Sequence, residues 1–428
     1  MSNLAPTNSV RAIECRSDAI VRSNPLVAFY AERPKGTRAG ELLRTVGVVP
    51  TAEALAASPT EKVSLLQRID ESFYPTKMEE SLYGDFHDAI RTSWQHADPL
   101  SPAAAMRYTG FARAVQSVSL VAMPKARHCG KGFLLCCASG SAGLRFVERA
   151  ADALGASLNY VKSVDGEDIP YWPAMTVLWP SCGTVDQFYA NFVSTFDGNL
   201  QRSSYFKALF RPTAKKITRP IFVMALSSIV NVGILIVSGA FSRNFHPEKS
   251  EAILLFLQEF MTYTGIPVVL TCTAPIYEQI VHMGPLFGAL TSGGNEEIQW
   301  LDTSSAFHGN ANLHLFNQSL MWKPVNLVPA EVLDCAAMCA HGSREALNLF
   351  YRLLHLAAVR KPRETPEGLL EDVAKTMTRQ TDQLQRVASY LCTFFSTKTG
   401  AAAKKPDGSA WSDFLSVDVY RRMGVWDV

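Results

Sequence analysis

Apolar positions fall into short unbroken runs in the middle of this chain and into helical repeats on either side. The uncharged or nearly uncharged runs at 133–137, 175–179, 234–237, 268–272 and 298–301 read as strands, the longer of them buried on both faces. Helical spacing recurs between them at 185–196 and 250–263, and such alternation predicts a mostly parallel sheet covered by helices. Before the sheet, Val63, Leu66 and Ile69 lie on one helical face. Phe73-Tyr74-Pro75 then breaks the chain ahead of a second helix over 78–97. Beyond 312 no strand pattern occurs. The stretches 329–340, 344–356 and 366–395 read as amphipathic helices, with Pro329 and Pro366 at first helical positions, where no N–H is needed. Residues 397–410 have linker composition and lead into an aromatic tail, Trp411, Phe414, Tyr420 and Trp426, that docks on its own core or on a partner.

One run invites a different reading. Residues 221–241 carry no charge over 21 positions, the length of a bilayer span. Ser227, Ser228, Asn231 and Ser238 interrupt it and Gly233 divides it, so a buried helix over 221–230 followed by a strand at 234–237 is preferred to a membrane helix. The 428 residues suffice for two or three domains, and 47% hydrophobic with 19% charged residues is ordinary globular composition. A net charge of +2 gives no whole-chain signal for nucleic acid, so any basic footprint is local. Nine irregularly spaced cysteines and a polar start, without a signal peptide, suggest reduced thiols in a cytoplasmic protein.

The chemistry of interest lies between 132 and 154. A strand runs into Ser139-Gly140-Ser141-Ala142-Gly143, and from Leu144 a helix follows with Val147, Ala151 and Leu154 on its apolar face. Strand, small-residue loop and helix form the geometry in which backbone N–H groups cradle phosphate. The side chains that complete a phosphate loop, G-x-x-x-x-G-K-[ST], are missing. With Gly143 as second glycine, Ala138 replaces the first, Leu144 the lysine and Arg145 the hydroxyl residue. Shifting the register by one restores nothing. Arg145 is either a cation for phosphate or a helix residue solvated near Glu148.

Three other groupings carry chemistry by type. Ser141 between strand and helix is also a variant nucleophile elbow, with His246, His282, His308, His314 and His341 available as bases, though no HGGG-like segment precedes the strand. Cys335, Cys339 and His341 have zinc-ligand types but no fourth partner, and buried thiols on a helix face are the simpler reading. Arg211, Lys215, Lys216 and Arg219 form the densest basic cluster, either a solvated loop or a set of DNA-backbone contacts.

Taken in order, several segments resemble the TniB/TnsC family of AAA+ ATPases, which link a transposase to its target DNA. Ser23-Asn24-Pro25-Leu26-Val27 is similar to that family's N-terminal entry, and Phe73-Tyr74-Pro75 to the segment before its first ATPase helices. Trp179-Pro180-Ser181-Cys182-Gly183-Thr184 is similar to the turn after its second strand, and Gly265 to Thr273 to the strand ending in its sensor threonine. The resemblance implies an N-terminal extension (1–75), an AAA+-like α/β core (76–305), a helical lid (306–395) and a linker with tail (396–428). It also locates what is lost. Where the family carries Asp-Glu after four apolar residues, Ser238-Gly239 follows 234–237, and the expected arginine pair falls on 290–294, LTSGG. Thr273 alone survives as a sensor. Joint loss of lysine, hydroxyl, carboxylates and arginines implies a pseudo-ATPase: no cofactor is required, and ATP with magnesium, if bound, is not hydrolysed. The implied role is an adaptor or scaffold, free of the membrane, that assembles as a homo- or hetero-oligomer. Its implied partners are the DNA backbone and a transposase, a target-selection protein or an intact sibling ATPase. The alternatives are a residual ATP-binding regulator and a serine hydrolase using Ser141.

Overall fold

Six strands form one sheet: β1 Gly132–Cys137, β2 Asn159–Lys162, β3 Asp168–Leu178, β4 Val232–Ala240, β5 Val268–Cys272 and β6 Gly294–Ile298. The computed structural model describes residues 24–30, 37–117, 124–163, 166, 168–199, 218–318, 329–361, 363–396, 405–406 and 409–423. Strand order is β2-β3-β4-β5-β1-β6, all neighbours parallel except the β2–β3 hairpin. Every residue of β1 and β5 is buried. Side chains alternate across the sheet because successive residues of a strand point to opposite faces. Leu134, Cys136, Leu235, Val237, Val268, Leu270 and Cys272 face one core; Phe133, Leu135, Cys137, Ile234, Ile236 and Val269 face the other. Helices Val185–Asn199, Thr218–Ile229, Pro247–Thr264 and Ala274–Val281 contribute to the first core. Helices Lys77–His96 and Gly143–Leu154 contribute to the second.

The connection leaving β1 therefore runs through Gly143–Leu154 over one face toward β3. That leaving the adjacent β5 runs through Ala274–Val281 over the opposite face to β6. Neighbouring parallel strands whose exits diverge in this way open a crevice at their C-terminal ends, the usual ligand position of an open α/β sheet. The small-residue loop lies there.

The uncharged run resolves into helix Thr218–Ile229 and β4, separated by a turn at Asn231 with φ 48°. Asn231 Nδ2 donates to the Pro170 carbonyl at 2.8 Å and Trp94 Nε1 to the Asn231 carbonyl at 3.2 Å, which fixes the break. No described helix is long and apolar enough to cross a membrane.

Four element expectations need correcting. The last strand is 294–298, not 298–301: Asn295, Glu296 and Glu297 hide it, because an edge strand pairs through its backbone while its side chains meet water. β2, equally polar, was not anticipated, and β3 begins seven residues before Met175, its first half disguised by Pro170 and Pro173, residues that ordinarily argue against a strand. The helix expected over 366–395 is two, Pro366–Gln380 and Asp382–Ser396, parted at Thr381, whose hydroxyl turns back to the Met377 carbonyl at 2.7 Å. That break sends Leu384 into the lid core and Val387 and Tyr390 into the sheet core.

Lid helices Pro329–Ala340, Arg344–Arg360 and Pro366–Gln380 share a third core with Val48, Leu66 and Ile69. Leu26, Val27 and Leu43 join the second sheet core instead. The described part of the N-terminal extension is thus divided between lid and sheet. At the other end, a 3-10 turn Ser409–Phe414 and a short helix Val417–Arg422 return to the sheet, burying Trp411, Leu415 and Tyr420 in its first core. Of the tail aromatics named above, Trp411, Phe414 and Tyr420 dock on the chain's own core, and Trp426 lies outside the described residues.

Candidate functional site

The loop after β1 needs left-handed backbone at Gly140 (φ 81°) and at Ala142 (φ 62°), a conformation that small residues tolerate best. Gly143 is required sterically: a Cβ there would lie 2.6 Å from the Cys137 sulfur. The helix Gly143–Leu154 then starts without a side-chain cap. Three of the loop N–H groups that could cradle a phosphate are already engaged. Ser141 N–H donates to the Ala138 carbonyl at 3.0 Å, Gly143 N–H to Ser141 Oγ at 3.3 Å, and Ser139 N–H to the Asp413 carbonyl at 2.7 Å.

Beside the loop is a cavity of about 150 Å³, lined by Ser139, Gly140, Gly143 and Leu144, by Gly239 after β4, and by Thr273 and the lid residue Glu345. Cavities that hold nucleotide-sized ligands are roughly 300–1,000 Å³. The C-terminal segment takes up the adjoining space. Asp413, 3% exposed, accepts at Oδ1 from Thr273 Oγ1 (2.5 Å), Ser242 Oγ (2.6 Å) and Ser242 N–H (3.2 Å). Trp300 Nε1 donates to the Ser139 carbonyl at 2.7 Å and meets the Phe414 ring edge-on.

The electrostatics run opposite to those of a phosphate site. Burial pushes the Asp413 carboxyl up, against the hydrogen bonds from Ser242 and Thr273 and the nearby Arg243 charge that favour its ionised form. Burial also raises Glu345, opposed by Arg145 and Arg344. Buried Cys136 and Cys272 are raised well above the ordinary thiol range and Cys137 to about 12, all chiefly by desolvation, so these thiols are neutral and not nucleophilic.

The residues singled out from sequence are only partly brought together. Ser139, Gly140, Gly143, Leu144, Gly239 and Thr273 share the cavity. Ser238 holds the Trp179 N–H at its carbonyl (2.7 Å), and Gly239 N–H donates to Thr271 Oγ1 at 3.1 Å. Arg145 does not line the cavity; its guanidinium donates to the Ser72 carbonyl at 3.4 Å. Ser141 is fully buried, which corrects its reading as an exposed nucleophile: a substrate carbonyl cannot reach it. No three or more His, Cys, Asp or Glu among the described residues are placed to hold a metal; Cys335 and Cys339 hydrogen-bond to each other. Arg219 is paired with Asp186 at 2.9 Å, whereas Arg211, Lys215 and Lys216 lie outside the described residues.

The strongest contact at the loop was missed. Arg344 Nε donates to the Ser141 carbonyl at 2.7 Å, while its two terminal nitrogens grip both oxygens of Glu79 at 2.9 and 2.6 Å. Its neighbour Ser343 donates to the Gly140 carbonyl at 2.9 Å. The lid is thereby fastened to the loop. Two sequence signals existed: Thr76-x-x-Glu79 is a capping box, and Arg344 opens a helix where the dipole disfavours a cation, so a partner must hold it. Nothing local marked Asp413.

No protein-family model and no curated protein matches this chain. Among solved structures it is similar to the ORC2 protein of Aeropyrum pernix in ADPNP–ADP complexes, at 10% identity and TM-score 0.41, over 76% of this chain and 86% of that one. It is also similar to a Walker-type ATPase of Pyrococcus abyssi, at 13% identity and TM-score 0.36, over 74% and 88%. The fold itself is α/β, a mostly parallel six-stranded sheet flanked by helices, with an N-terminal extension before it and a set of helices after it.

Proposed function

We propose that this protein is a pseudo-ATPase, an AAA+-type scaffold or adaptor of a DNA transposition-type system that works without nucleotide turnover. The observation that carries this reading is the C-terminal segment at the crevice beside the loop, where Asp413 is already taken by the Thr273 and Ser242 hydroxyls and no lysine stands at Leu144 to meet a phosphate. A phosphate brought there meets the buried Asp413 and three loop N–H groups already bonded. The resemblance of the chain's ordered segments to TniB/TnsC proteins supports the setting: the DNA backbone and a transposase, target-selection protein or intact sibling ATPase as partners, in a homo- or hetero-oligomer.

The test is direct. Purified protein should show no ATP hydrolysis above a mock preparation, and millimolar ATP with magnesium should leave its melting temperature unchanged, because stabilisation follows RT ln(1 + [L]/Kd). A shift of several degrees would favour a residual ATP-binding regulator instead. Turnover abolished by Thr273→Val would end the pseudo-ATPase reading.

A further inference from the structure

The segment 409–423 is held as a ligand is held, by discrete anchors from elements far from it in sequence. Asp413 is bonded by Ser242 after β4 and Thr273 after β5, and its carbonyl by Ser139 after β1. Trp411 meets Tyr390 edge-on at 5.5 Å between ring centroids, and Leu415 is fully buried. Val417 N–H donates to Glu297 Oε1 of β6 at 2.6 Å, and Arg421 pairs with the buried Glu278 at 2.7 Å. Main-chain, carboxylate, aromatic and cationic recognition thus converge at the crevice where the diverging strand exits place a ligand.

We infer that this crevice is a peptide-binding site whose ligand is a carboxylate-bearing segment flanked by aromatic residues, and that residues 409–423 are its exchangeable occupant. The recognition chemistry is explicit. Three donors converge on one carboxylate oxygen, a fourth fixes the adjacent main-chain carbonyl, and apolar slots receive the residues on either side. A neutral side chain at 413 loses the charge-assisted bonds and leaves buried hydroxyls facing it. The inference rests on the reading that the crevice has given up nucleotide chemistry, and names what took its place.

The experiment uses the full chain with a protease site inserted between Ser396 and Ser409. After cleavage, a fluorescein-labelled synthetic peptide spanning 409–423 is added and anisotropy is followed. The expected result is saturable exchange with the resident segment. An Asp413→Ala peptide should bind about ten- to a hundredfold more weakly, and Thr273→Val in the chain should weaken the native peptide in the same direction. No exchange, unfolding of the chain on cleavage, or equal binding of the Asp413→Ala peptide would each overturn the inference. ATP with magnesium is a separate arm. If it displaces the labelled peptide, the peptide site stands and the pseudo-ATPase reading is weakened; if neither peptide nor ATP binds, the reading stands and the inference fails.

Discussion

Arg344 shows how one side chain ties three parts of the molecule together. It bridges Glu79 of the helix before the sheet, the Ser141 carbonyl of the loop and the lid helix that it opens, and its guanidinium also lies over the Phe73 ring at 5.2 Å. Glu79 is fully buried, and it caps its own helix through the Thr76 N–H at 2.7 Å. Removing one member of such a pair leaves an uncompensated buried charge, which costs about 3–5 kcal/mol. Arg344→Met should therefore lower unfolding free energy by about that amount in urea titrations. Replacing both residues with Met should recover most of the loss, less about 1 kcal/mol for the forfeited cap. A double variant no better than Arg344→Met would show that an unpaired Glu79 charge is not the source of the loss.

The lid helix Arg344–Arg360 carries a second consequence at the scale of elements. His355 on its inner side is fully buried, and desolvation lowers its pKa to about 3. The folded lid thus keeps His355 neutral, whereas the unfolded chain takes up a proton near pH 6.5. The unfolded state binds more protons throughout that interval, so stability is fully present above about pH 6.5 and falls as pH drops toward the folded value. His308, His314 and His341 are lowered by burial as well and act with the same sign. Comparing wild type with His355→Leu isolates the one group. Between pH 7.5 and 5 the wild type should lose about 2 kcal/mol more than the variant, at about 1.4 kcal/mol per unit below 6.5. Parallel stability profiles would mean that His355 titrates in the native lid as it does in the unfolded chain.

At the scale of the whole molecule, a net charge of +2 means that the proposed DNA contact must rest on a local cluster. Arg219 is committed to Asp186, which leaves Arg211, Lys215 and Lys216 as the backbone-contact candidates. Phosphate contacts release counterions, so log K should fall with log salt by roughly 0.9 per contact on duplex DNA. Lys215→Ala with Lys216→Ala should weaken binding alike for unrelated sequences and flatten that slope by about two. Salt-titrated anisotropy measures both, with and without a partner that assembles on DNA. Superimposable curves would assign the cluster to solvent.

What the amino-acid sequence determined by itself is the middle of the sheet and the loop. Residues 133–137, 234–237 and 268–272 form β1, β4 and β5, because an uncharged run too short for a helix is stable only when covered on both faces. The Ser139–Gly143 turn and the lid starts at Pro329 and Pro366 follow from backbone preferences that act within a few residues. Tertiary structure decided the rest. β2 and β6 are strands only because a neighbour offers its backbone, and the break at Thr381 exists because Leu384 and Tyr390 serve different cores. Arg344 and Glu79 meet across 265 residues, and Asp413 reaches Thr273 across 140 and Ser242 across 171. Periodicity reports which face of an element is buried. Which side chain fills the crevice depends on how the C-terminal segment stacks on the finished sheet, and no local pattern in the chain carries that information.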